Sequence, residues 1–264
     1  MLTDAHCHPY DLIRVNPQAE EERIEAGVLA AASACLLEEF VYNESLPNIL
    51  PYFGIHPQMP AVYKNNLKAS HKGTENTEET IINLLKLAKE KRIAAIGECG
   101  FDLYNAEFKE TEKIQEQLFI EQLEIALQYG LPVIIHARRA MHKIFENTEK
   151  LKKCKAVVFH SWPGTLEEAS AIIRRGLNVY FSFGNTIKLN HKQVIKSCAH
   201  LPADRLLTET DAPFQPRRGE RYSRWADLPL ILETAAALRC EAGNAIDAKD
   251  LELQIEANFK NVFY

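Results

Sequence analysis

Eight short apolar runs punctuate the chain: Leu2–His6, Val28–Ser33, Pro51–Ile55, Ile93–Gly97, Pro132–Ile135, Ala156–Phe159, Asn178–Phe183 and Arg205–Thr210. Several are near-continuous stretches of Val, Ile and Phe, the pattern of parallel strands covered on both faces. The segments between them carry helical spacing and caps. From Thr111 to Gly130 an apolar face is made by Ile114, Leu118, Leu123, Ile125, Ala126 and Leu127, and Gly130 followed by Pro132 supplies the stop. Asn76 or Thr77, Thr165 and Asp247 open further helices with acidic residues early.

Eight such units in 264 residues average about 33 residues each, the size of one strand with its crossover helix. No sequence repeat accompanies the period, which argues against a solenoid and for a closed or open α/β sheet, and eight such units most simply close into a (β/α)8 TIM barrel. With no linker in sight, one domain over residues 1–264 is expected. The second unit is the weakest, because only YNESLPN separates it from the third strand, too few residues for a normal helix. The longest insertion, His56 to about Asn76, reads as a loop rich in Lys, Asn and Thr.

A chain this long forms a full core without metal or disulfide staples. Six scattered cysteines, with no CxxC pair, read as reduced thiols. The longest apolar stretch, Val28–Leu37, is about half of what a membrane span needs. The N-terminus lacks a secretory pattern, so a cytoplasmic protein is expected, with no membrane association. Lys and Arg number 31 against 36 Asp and Glu, a net charge of −5, so a nucleic-acid substrate requires a local basic patch. No obligate protein partner is inferred.

The polar residues fall at the strand ends. LTDAHCH closes on His6 and His8, IAAIGE on Glu98, PVIIH on His136, AVVFH on His160 and LLTETD on Asp211. In a parallel barrel these termini share one rim, where distant residues converge. A single histidine at such a boundary is ordinarily a satisfied rim residue. Four of the chain's nine histidines together with two carboxylates are a different matter, since buried unpaired carboxylates are costly. Imidazole and carboxylate donors suit Zn, Mn, Mg or a related divalent ion. Six ligands exceed one tetrahedral catalytic site, so two ions are expected, with Glu98 as the bridge.

Such ions lower the pKa of bound water from 15.7 toward about 7 and offset charge on phosphoryl oxygens. Asp211 is the candidate general base, and Glu98 shares the catalytic role as the bridging carboxylate. His56, in GIHP, exceeds the ligand count and is a candidate phosphate contact, with a simple strand-capping role equally open. Cys7 and Cys99 should point away from the ions as small packing residues, and Glu209 shares the facing of Asp211 as a supporting partner. The basic patch is supplied by Arg138 and Arg139 after the His136 strand and by PFQPRRGERYSRW, where Arg217, Arg218, Arg221 and Arg224 interleave with Tyr222 and Trp225. Guanidinium groups grip phosphates and aromatic faces stack on unpaired bases. Arg138, Arg217, Arg218 and Arg221 are therefore the candidate substrate contacts.

In order along the chain, TDAHCH, YFGIHP, IGECGFDLY, LPVIIHAR, VVFHSWPG, FSFGNT and LLTETDAPF resemble the motif series of the TatD family of metal-dependent hydrolases, within the amidohydrolase-like barrels. The resemblance implies a TIM-barrel metallohydrolase, most often a deoxyribonuclease of exonuclease or repair type acting on single-stranded DNA or ends; deacylation of mischarged tRNA has also been attributed to members. It implies His6, His8, Glu98 and Asp211 around one ion, and Glu98, His136 and His160 around the other. The loop after the last strand departs from the family, reading SRWADLP where members usually carry an Asn-Glu-Pro stretch. Two alternatives stand beside the nuclease: hydrolysis of a small amide, lactone or aminoacyl ester on the same ions, which would favour apolar pocket walls, and a non-catalytic binding barrel, which would have lost a ligand.

Overall fold

The computed structural model describes residues 1–62, 77–189, 191–244 and 246–264. Eight strands lie in one sheet in sequence order, every neighbouring pair parallel: β1 Thr3–Cys7, β2 Leu29–Ala34, β3 Ile49–Phe53, β4 Ile96–Asp102, β5 Val133–Arg138, β6 Val157–Phe159, β7 Val179–Phe183 and β8 Leu206–Thr208. The last strand returns beside the first. The Thr208 hydroxyl donates to the Thr3 carbonyl at 2.9 Å, and the Asp211 amide donates to the His6 carbonyl at 3.0 Å. The expected (β/α)8 TIM-barrel arrangement is therefore present.

Helices surround it: α1 Pro9–Val15, α2 Ala19–Glu25, α3 Leu37–Ser45, α4 Thr77–Lys89, α5 Ala106–Lys109, α6 Glu112–Tyr129, α7 Met141–Glu146, α8 Thr148–Leu151, α9 Leu166–Arg174, α10 Lys192–His200, α11 Asp227–Glu241 and α12 Ala248–Phe263. Thr165 caps α9 through a reciprocal pair with Glu168, and Asp247 caps α12, as their positions before apolar runs predict. Strand alternation divides the core into two layers. Ala31, Tyr52, Ile134, Val158 and Leu207 fill the barrel, joined by Phe259, Val262 and Phe263 of α12. Val133, Ile135, Val157, Phe159 and Phe181 face outward against Leu84, Phe119, Leu123, Ile172 and Ile231 of the helices. Each fully buried large apolar side chain contributes about 1.5–3 kcal/mol, so no staple is needed. Among the described residues no helix is long and apolar enough to cross a membrane.

Three local expectations are corrected. The second unit does contain a helix, because α3 starts at Leu37, inside the apolar run, and so gains a turn and a half that YNESLPN alone lacks. The fourth strand starts three residues later than Ile93 and runs through Glu98 to Asp102, so the acid lies on the strand and not beyond it. On α6 Ile114 is exposed, while the buried face includes two glutamines. Gln122 accepts from the Ile55 amide at 2.7 Å and Gln115 from the Asp102 amide at 2.9 Å. These amides satisfy main chain at the ends of β3 and β4, which apolar side chains could not do. Helix α4 is described from Thr77; Asn76 and most of the expected long loop lie outside the described residues.

Gly100 lets β4 approach β5. Its φ is +128°, and a Cβ there would lie 2.2 Å from the His136 carbonyl oxygen, its partner in register. Only glycine fits both demands.

Candidate metal centre

The strand termini bring seven groups into one buried cluster, and Glu98 stands at its middle. Its Oε1 lies 3.4 Å from His6 Nε2 and 3.5 Å from His8 Nε2. Its Oε2 lies 3.1 Å from His160 Nε2, 3.6 Å from His136 Nδ1 and 3.5 Å from His56 Nε2. Asp211 completes the first side, with Oδ1 3.4 Å from both His6 Nε2 and His8 Nε2. One carboxylate thus presents each oxygen to a different set of nitrogens.

The backbone makes this possible locally. His6 and His8 leave β1 two residues apart and face the same way, their Nε2 atoms 3.1 Å from each other. Asp211 holds φ at +53°, a conformation aspartate tolerates better than most residues, and this turns its side chain back toward β1. Asp4, fully buried, ties the two segments: it accepts from the Thr210 amide at 3.0 Å, the Thr210 hydroxyl at 2.6 Å and the His6 amide at 3.1 Å. Burial pushes its carboxyl up to about 8 against those hydrogen bonds.

The electrostatics match a cation site. Burial would raise Glu98, but His6, His160 and His56 beside it hold it well below the usual carboxylate range. Asp211 is likewise lowered, with burial overcome by hydrogen bonds from His6 and His8. Burial opposes charge on His8, yet Asp211 and Glu98 lift it to about 9. The same contest raises His160 through Glu98 and Glu209. Inward-facing nitrogens crowd together, with His136 Nδ1 3.2 Å from His160 Nε2. Without a cation a shared proton can bridge such a pair, whereas the two rings in their neutral, ligating forms would both offer lone pairs at this distance, which a bound cation would accept. Imidazole with carboxylate oxygen is the donor set of Zn and related divalent ions, so the residues fit the group.

Outer partners set which nitrogen faces in. His136 Nε2 donates to Asp102 Oδ2 at 3.2 Å, which leaves Nδ1 as the inward lone pair. His160 Nδ1 points at Glu209 Oε1, 3.8 Å away, and both Glu209 oxygens are buried with no other partner among the described residues. The Tyr52 hydroxyl meets His6 Nδ1. Such outer carboxylates and hydroxyls fix the tautomer of a ligating histidine. His56 is wired in the opposite sense: its Nδ1 accepts from the Gln58 amide at 3.2 Å, so the neutral ring carries its proton on the inward Nε2. Burial holds it neutral by driving its pKa down to about 3.

Sequence reasoning misses Asp4, Tyr52, Asp102 and Gln215. Asp102 carries a legible signal, standing four residues after Glu98 and hence on the same face of an extended strand. Gln215 carries none; it donates to the Asp211 carboxylate and to Ser161 Oγ from a left-handed backbone of its own. Cys7 and Cys99 are buried and donate to the Ala31 and Ile134 carbonyls, away from the cluster.

The candidate substrate contacts divide. A cavity of about 450 Å³ opens beside His136 and His160 and is lined further by Arg138, Trp162, His191 and Gln215. Arg217 is instead tied to buried Asp227, Nε to Oδ1 at 2.8 Å, and to Glu220 at 3.3 Å. Arg218 and Arg221 are exposed on the same loop, and Arg224 pairs with Glu220 at 2.7 Å. The stacking role expected of Trp225 is corrected: it is 1% exposed and packs in the core, with Arg23 over its ring. Phe214, 49% exposed and edge-on to His8 at 5.1 Å, is the aromatic side chain that this loop does present beside the cluster.

A family model described as TatD related DNase matches residues 3–264. A protein named 3'-5' ssDNA/RNA exonuclease TatD from Erwinia tasmaniensis is 34% identical over 201 residues, 73% of this chain and 74% of that one. Its namesake from Escherichia coli strain K12 is 34% identical over 194 residues, 71% of each. Among solved structures, a TatD homologue from Escherichia coli K12 superposes with a TM-score of 0.83 at 24% identity, covering 99% of this chain and 97% of that one. A TatD family hydrolase from Entamoeba histolytica gives 0.74 at 17% identity, covering 100% and 98%.

Proposed function

Because the chain belongs to the TatD-related DNase family, we propose that it is a metal-dependent phosphodiesterase that degrades single-stranded DNA or RNA from an end. The substrate class follows the relatives named 3'-5' ssDNA/RNA exonucleases. The observation that carries the reading is Glu98, whose two oxygens face two separate sets of nitrogens. His6, His8, Glu98 and Asp211 would hold one divalent ion, and Glu98, His136 and His160 a second. Bound there, such ions would make water acidic enough to attack at neutral pH and would neutralise charge on the phosphoryl group.

The chain's own groups supply the rest. Asp211, an anion held in place by Gln215 and the main chain of β1, accepts the proton of the attacking water. His56 donates from Nε2 to a non-bridging phosphate oxygen, a role its Gln58 contact prepares. Arg138, which lines the cavity beside His136 and His160, holds substrate phosphate. A guanidinium in that wall favours a phosphodiester over a small amide or lactone. Arg218 and Arg221, exposed and with no ion pair among the described residues, extend the basic surface toward longer substrates, while Arg217 is held by Asp227 and Glu220. One domain working in the cytoplasm, with six free thiols, completes the reading.

The test is a parallel screen of single-stranded DNA, single-stranded RNA, and ester and amide substrates with added divalent ions, with Asp211→Asn as control. Release of nucleotides that Asp211→Asn reduces at least a hundredfold supports the proposal. Turnover of only the carbonyl substrates overturns it.

A further inference from the structure

The cavity beside the metal cluster continues into a second one of about 690 Å³, and the two share Ala137, Arg138, Pro163 and His191. Arg138 stands at the junction. Its guanidinium carbon lies 3.7 Å from the centroid of the Tyr104 ring, and Arg139 lies over the same ring at 4.5 Å. Arg139 donates to the Tyr104 carbonyl at 3.2 Å, and neither arginine has a carboxylate partner among the described residues. A planar cation stacked on an aromatic face is fixed in orientation while its edge donors stay free. Among the described residues Glu168 is the one acid that lines the second cavity, and it is already spent on the Thr165 amide at 2.7 Å as the cap of α9.

A different acid, Asp102, holds both places in register. Asp102 accepts from His136 through Oδ2 and from the Tyr104 amide through Oδ1 at 2.9 Å. The backbone of Arg138 lies opposite that of Asp102 in the β4–β5 register, and its Cα stands two residues beyond that of His136, about 6.6 Å along a strand. That is the scale of the step between neighbouring phosphates of an extended single strand.

Resting on the phosphodiesterase reading, we propose that Arg138, held by Tyr104 and flanked by Arg139, is a subsite for the phosphate next to the scissile one. The enzyme therefore selects substrates with at least two phosphodiester bonds. Tyr104 is a positioning residue, since it acts through the arginines.

The test compares kcat/KM on a dinucleotide, which has one internal phosphate, with that on a trinucleotide of the same bases, using metal-loaded enzyme. Wild type is expected to prefer the trinucleotide by tenfold or more, roughly the effect of one charge-assisted contact. Arg138→Met should bring the ratio close to one, mainly through KM. Tyr104→Leu should lower it partly, and Tyr104→Phe, which keeps the ring, should restore it. A wild-type ratio near one, or a ratio that survives Arg138→Met, overturns the subsite and leaves the phosphodiesterase reading standing. Failure of wild type to cleave either substrate or longer strands counts against that reading itself, and the subsite falls with it.

Discussion

The main-chain amide of Gln58 donates to Nδ1 of His56, and this contact separates His56 from the other histidines of the cluster. His136 and His160 each face a carboxylate on the outer side, Asp102 and Glu209, which only accepts, and His6 meets the Tyr52 hydroxyl, which can accept or donate. His56 meets a donor. Position alone does not reveal the difference, since His56 Nε2 is as close to Glu98 as the others are.

The contrast gives the first prediction. His136→Ala should lose bound metal, while His56→Ala should keep its full metal content and lose activity in kcat. Elemental analysis of the two purified variants alongside turnover assays decides it. Equal metal loss in both would make His56 a ligand.

Asp102→Asn removes the negative charge beside His136 and leaves one acceptor oxygen where Asp102 uses two, for His136 and for the Tyr104 amide. Metal affinity should weaken by 10- to 100-fold, the usual effect of losing an outer carboxylate, with the fold retained. Competition with a chelating dye measures it.

Metal binding should release protons. Asp211 and Glu98 raise His8 to about 9, so at pH 7.5 the metal-free ring is protonated, whereas a ligand must be neutral. Apparent affinity should therefore fall as pH drops below about 9. Calorimetric titration in two buffers of different ionisation enthalpy should show a net release of about one proton or more. Identical heats in both buffers would contradict the assignment.

How much of this was legible beforehand depended on the kind of signal. Strand order and helix alternation follow from apolar periodicity, and His6, His8, His136, His160 and Asp211 stand at or near strand ends where a parallel barrel must collect them, with Glu98 on β4 itself. Boundaries that depend on tertiary contacts were not legible: α3 begins inside an apolar run, and β4 extends through Glu98 to Asp102 because Gly100 admits β5. The arginine-rich loop misleads for a similar reason. Composition shows four arginines and three aromatics, but only coordinates reveal that buried Asp227 claims Arg217 and that the core claims Trp225. Tautomers escape sequence entirely, because they rest on contacts such as Gln58 with His56.

Trp225 accordingly tests packing and not recognition. Trp225→Ala should cost about 3–5 kcal/mol in chemical denaturation, as for other large buried aromatics. Its KM for nucleic acid at a temperature where it is folded should match wild type. A KM defect with unchanged stability would return Trp225 to the substrate surface.

In the proposed function the two oxygens of Glu98 would each help to hold one of two cations that together enable phosphodiester cleavage. The direct measurement is a titration of chelator-stripped protein with Mn or Zn, following bound metal and cleavage of an end-labelled single strand in the same samples. No cleavage is expected at zero metal, full activity on reaching two equivalents, and retention of at most one equivalent by Glu98→Gln. Cleavage by the stripped protein, or full activity with two equivalents still bound in Glu98→Gln, would contradict it.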